Sequence, residues 1–128
     1  MNTKIFLTYT AIIEALSGVF LIIMPSNSVM FFFGEKLNSS AGIIFSMWAG
    51  AAIFSIAILL WQSRNRNFST LIFLPLFLYN FLLSLIVIYG AKNNTIHGTG
   101  LWIVLIFHSI QTVICAGILL KRKLKFNT

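Results

Sequence analysis

Four stretches of about 20 apolar residues constrain this chain more than any other feature, because a helix rising about 1.5 Å per residue needs that length to cross a hydrocarbon core about 30 Å thick. The stretches run over residues 5–24, 41–61, 68–91 and 100–120. Between Ile5 and Met24 the only Asp, Glu, Lys or Arg is Glu14, and none of these types occurs from Leu37 to Ser63 or from Asn67 to Ala91. A water-exposed helix carries a polar stripe opposite its apolar one. These segments have no such stripe, which excludes a soluble bundle. The expectation is an all-α, integral membrane protein, a four-helix transmembrane bundle. Its 128 residues make a single domain, and 59% hydrophobic against 9% charged residues sets it apart from soluble globular chains.

Each run is bounded by polar or turn-forming residues: Pro25-Ser26-Asn27, Arg64-Asn65-Arg66-Asn67, Lys92-Asn93-Asn94 and Lys121-Arg122-Lys123. The first run is too long for the core of a cleaved signal peptide, and no small-x-small site follows it. The net charge of +7 raises the question of nucleic acid, but the charges sit at span ends, where they orient helices in a bilayer. Counted by side, Lys4, Arg64, Arg66, Lys121, Arg122, Lys123 and Lys125 face Lys36 and Lys92, with Glu35 beside the smaller group. Positive charge stays inside, so both the N and C termini are expected in the cytoplasm of a multi-pass protein in the inner (plasma) membrane. The partner that charge and composition imply is the lipid bilayer and not nucleic acid. The single cysteine, Cys115, forms no intrachain disulfide and lies within an apolar span.

Val29-Met30-Phe31-Phe32-Phe33-Gly34 is apolar yet too short to cross, and is expected to lie at the interface, as aromatic Trp61, Tyr89 and Trp102 do near span ends. Asn38-Ser39-Ser40, Asn67-Phe68-Ser69 and Asn93-Asn94-Thr95 match the glycosylation acceptor pattern by chance in an Asn-rich chain. An Asn-, Lys- and Ile-rich composition of this kind points to a bacterium with an AT-rich genome.

Lipid solvates leucine as well as another leucine does, so helix association in a membrane comes from close packing and polar contacts. Gly42, Ser46 and Gly50 repeat every four residues in the second span, with Ala49, Ala51, Ala52 and Ala57 nearby. They form a helix-packing face for a neighbour in the same chain or in a second protomer, a homo-oligomer through the second span. Pro75 removes an amide donor one turn after Leu71, and a bend is expected there.

At about 1.5 Å per residue from the cytoplasmic end of each span, Glu14 and Gln111 lie about 13 Å deep and Asn80 and His108 about 18 Å deep. Each shares a helix face with other polar or small residues: Thr10, Glu14 and Ser17; Asn80 and Ser84; His108, Gln111, Thr112 and Cys115. A carboxylate at the bilayer centre costs at least a few kcal/mol, so Glu14 must be protonated or partnered. Glu14, Asn80, His108 and Gln111 are therefore the candidate binding or proton-relay residues, with a purely structural hydrogen-bonded cluster as the competing explanation. No metal or cofactor is expected. His97 and His108 stand about 16 Å apart along one helix axis and no other histidine exists to join either. Catalytic constellations are missing too, since Glu14 and Glu35 are the only acids and Cys115 lies two turns from His108.

A first-span glutamate in a four-helix chain is similar to the small multidrug resistance transporters, a resemblance that implies proton exchange for cationic drugs at Glu14. The aromatic and glycine motifs of that family's second and third spans are not found here. Glu14 to Gly18, Pro25 at the first span's end, Phe33-Gly34 and a small-residue second span ending in Trp61 resemble the four-helix bacterial inner-membrane proteins of DoxX-like type. That resemblance implies the architecture and no particular chemistry. The sequence thus leads to a non-enzymatic module that binds a small lipophilic ligand or stabilises an assembly. The alternative is a proton-coupled transporter using Glu14, and a lipid-modifying enzyme with a Glu14 and His108 acid-base pair is a more remote third.

Overall fold

The computed structural model describes residues 2–65, 69–93 and 97–126, and among them every regular element is a helix. The order is α1 (Thr3–Ile23), α2 (Pro25–Phe33), α3 (Ser40–Ser63), α4 (Ser69–Lys92) and α5 (Leu101–Phe126). Four of these, α1, α3, α4 and α5, are long and apolar enough to cross a membrane, with mean hydropathy of 2.0 to 2.5 over their most apolar stretches. They coincide with the four apolar runs to within a few residues, except at the end of α5. There the helix continues from Leu120 to Phe126 through the lysines and arginine. Lys and Arg are good helix formers and suit a helix C-terminus, so the end of the apolar signal is not the end of the helix. Phe68, expected to open the third run, lies outside the described residues.

The chain divides into two compact units, Met1–Asn67 and Phe68–Thr128. In the first, Asn2 caps α1 by accepting from the Lys4 amide at 3.0 Å. Pro25 ends α1, because proline drives the residue before it out of the helical region; Met24 has φ −131° and ψ 59°. The same proline begins α2 at a position where a missing N–H costs nothing. The turn expected at Pro25-Ser26-Asn27 is thus the first turn of a short helix. Ser28, fully buried, places its hydroxyl 2.8 Å from both the Phe20 and Met24 carbonyls, which also accept the Met24 and Ser28 amides, so the side chain ties α2 to the end of α1 across the break. Phe31 and Phe32 pack edge-on against Phe20, and Gly34 closes α2 in the left-handed conformation (φ 85°). Ser39 caps α3 through the Gly42 amide, giving Asn38-Ser39-Ser40 a structural use. The other two glycosylation-like triplets lie partly outside the described residues.

α1 and α3 meet backbone to backbone. A Cβ added to Gly18 would lie 2.8 Å from the Gly50 carbonyl oxygen and 2.8 Å from the Phe54 nitrogen; one added to Gly50 would lie 2.7 Å from the Gly18 oxygen. Of the three small residues expected to form the packing face, Gly50 sits at this crossing and Ser46 is buried one turn before it. Gly42 lies beside Leu37 and Ser39, at the start of the helix.

In the second unit α4 packs on α5. Helix α4 runs through Pro75 without interruption, and the proline itself is exposed. Ile72, Leu76, Asn80, Ser84 and Val87 are buried at intervals of three or four residues, with Phe73 beside Ile72, a single stripe. On α5 the buried stripe is Leu101, His108, Gln111 and Cys115.

Candidate functional site

Apart from Ser28 on α2 and Ser46 on α3, the polar side chains buried among the described residues fall into a seam between α4 and α5 and a strip on α1. Asn80, with no exposed surface, donates through Nδ2 to the Leu76 carbonyl at 2.7 Å, a bond within its own helix. That fixes the amide, because Oδ1 is the atom left to meet α5. It lies 2.6 Å from His108 Nδ1. An amide oxygen only accepts, so the proton of this bond sits on Nδ1; in a neutral imidazole Nε2 is then an acceptor. The ring is further held by edge-to-face contacts with Tyr79 (centroids 5.6 Å apart) and Phe107 (5.2 Å). Its helix position is braced by Thr112, whose hydroxyl donates to the His108 carbonyl at 2.8 Å.

One turn along α4, Ser84 donates to the Asn80 carbonyl at 2.8 Å, and Ser109 reaches the Ser84 hydroxyl at a long 3.5 Å. Hydrogen bonds between membrane helices contribute about 0.6 kcal/mol on average and at most about 1.7 kcal/mol, so the seam adds modest stability and strong orientation. Gln111 follows His108 by three residues and Cys115 by seven, both buried on that face. On α1, Glu14 is 3% exposed and shares its buried face with Phe6, Leu7, Thr10, Gly18 and Leu21. Thr10 donates to the Phe6 carbonyl at 3.0 Å. Of the four candidate residues, the structure brings Asn80 and His108 into contact and sets Gln111 on the His108 face, while Glu14 belongs to the other unit.

A second feature lies between α1 and α3. On the side of the Gly18 and Gly50 crossing where α1 begins and α3 ends, an apolar groove of about 320 Å³ opens. Ala11, Ala15 and Ala57 form its deeper part; Ile12, Leu16, Ile58 and Trp61 are its exposed rim. At its end the Arg64 guanidinium stacks on Trp61, its central carbon 3.2 Å from the ring centroid. Sequence reading found Asn80, Ser84 and Glu14 from their setting in apolar runs. It missed Tyr79 and Phe107 around the imidazole and Ser109 beside Ser84, and it missed the groove. Among the described residues no three His, Cys, Asp or Glu side chains gather as metal ligands would.

No family model, curated protein or solved structure matches this chain. The class that fold and site define is therefore the coarse one: a small all-helical protein with four helices able to span a bilayer.

Proposed function

We propose that this chain is a multi-pass protein of a bacterial inner membrane, with both termini cytoplasmic, that acts without catalysis as a binding module for a small lipophilic ligand. The ligand's recognition element is a hydrogen-bond donor, a hydroxyl or an ammonium group, offered to Nε2 of His108. The observation that carries this reading is the 2.6 Å contact of His108 Nδ1 with an Asn80 oxygen whose amide is already oriented by Leu76. A histidine so held presents one defined acceptor in apolar surroundings, where a hydrogen bond discriminates most sharply between ligands that have a donor and ligands that lack one. Titrating a long-chain alcohol and the matching alkane into the protein in lipid nanodiscs tests it. The alcohol is expected to bind several-fold more tightly, and His108→Leu to remove the difference. Equal affinities in the unaltered protein would end this reading.

Burial of Glu14 within an apolar span favours a second reading, a proton-coupled transporter of the kind the small multidrug resistance resemblance implies. Flux in proteoliposomes would then follow an imposed pH gradient and fall with Glu14→Gln. An assembly through the second span is also open to this chain. Gly50 is taken up by α1, so a second copy would use the exposed face of Ala41, Phe45, Trp48 and Ala52.

A further inference from the structure

The α1 and α3 groove ends at a cation whose hydrogen-bonding capacity is not met. Nη1 of Arg64 is buried yet has no hydrogen-bond partner among the described residues. A buried N–H left unpaired costs about 1–3 kcal/mol, more when charged, so such a group marks a place where an acceptor belongs. Among the described residues no carboxylate pairs with Arg64. Glu35 precedes α3 at its opposite end, about 35 Å away along a helix rising about 1.5 Å per residue, and Glu14 lies on the buried face of α1. Stacking on Trp61 holds one face of the guanidinium in place, and the Arg64 side chain as a whole is only half-buried, so an oxyanion can approach it from the exposed side.

Beside it the groove is lined almost wholly by hydrocarbon and extends about 10 Å along α3, from Phe54 to Trp61. Its deeper wall is alanine, so the space comes from small side chains on both helices below the glycine crossing. A ligand matching both parts carries an extended apolar chain joined to an anionic head at the level of a span's end. We propose that this groove is a binding site for an anionic phospholipid, with one acyl chain between α1 and α3 and the headgroup phosphate on Arg64. The charge complementarity belongs to Arg64, in the first unit, and does not depend on the reading proposed for His108.

Trp61 is its own reporter. In the full-length Trp48→Phe, Trp102→Phe background, both replaced rings being largely exposed, Trp61 fluorescence is measured in vesicles with increasing brominated phosphatidylglycerol or brominated phosphatidylcholine. Brominated phosphatidylglycerol is expected to quench at a several-fold lower mole fraction. Arg64→Gln should bring the two lipids together, whereas Lys4→Gln, which removes a positive charge from the start of α1, should leave the preference intact. Ala15→Phe, filling the groove, should weaken quenching by both. Glycerol phosphate without acyl chains should displace nothing. Equal quenching by the two lipids before any Arg64 change would overturn the site. So would loss of preference in Lys4→Gln to the same degree as in Arg64→Gln, which would make the effect one of general surface charge.

Discussion

The Asn80 and His108 pair is a statement about single atoms, and it is checked at that level. With Nδ1 carrying the proton, ¹⁵N NMR of histidine-labelled protein in nanodiscs should show a protonated, pyrrole-type Nδ1 and an unprotonated, pyridine-type Nε2 for His108. The opposite tautomer would mean that the Asn80 oxygen is not the acceptor. Asn80→Leu keeps the volume roughly and removes both amide bonds. It should cost about 0.6 kcal/mol and at most about 1.7 kcal/mol in a reversible unfolding measurement, the average and the maximum for such bonds between membrane helices, and should mix the two tautomers. A loss of several kcal/mol would mean that Asn80 supports more than these two bonds. That Asn80 and His108 each belong to a buried polar set was legible in the sequence, because an amide and an imidazole in an apolar run have few places to go. Their pairing was not legible. It depends on the register of α4 against α5, and neither helix's own periodicity encodes that register.

At the level of helices, the contact of Gly18 with Gly50 decides how closely α1 and α3 approach. A methyl group at either position meets backbone atoms at 2.7 to 2.8 Å, and backbone cannot turn aside as a side chain can. Gly50→Ala is therefore expected to destabilise the first unit by about 1–3 kcal/mol, the usual result of overpacking, while Gly117→Ala, with nothing within 4 Å, should be neutral or slightly favourable. Unfolding of both variants in mixed micelles would show it, and equal stabilities would mean that the helices do not touch there. The same crossing explains what sequence patterns reveal of an element and what they conceal. Gly50 stood out in its four-residue repeat, but its partner Gly18 has no repeat around it. Helix α2 was hidden because Pro25 signals the end of one helix and the start of another with the same residue, and Ser28 joins the two only through a buried hydroxyl. The groove was hidden as well, since alanines on two helices make a hollow only after the crossing point is set.

For the whole molecule, the four helices long and apolar enough to cross a membrane were legible because a bilayer imposes one length and one composition on whatever crosses it. Orientation rests on a different quantity, the uneven distribution of positive charge over the connections. Seven Lys and Arg residues fall with the termini and the connection between the second and third spans, against two with the other connections. A C-terminal reporter active only in the cytoplasm should therefore be active, and the same reporter joined between Glu35 and Lys36 silent. The terminal cluster supplies four of the seven charges, so Lys121→Gln, Arg122→Gln, Lys123→Gln and Lys125→Gln together leave three against two. At that near balance the chain loses its basis for choosing, and a mixed population carrying the reporter on both sides is expected. If the fourfold variant keeps a single orientation, the first-inserted helix with Lys4 decides the topology before the terminal charges are made. The later spans would then follow the first, whatever charge they carry.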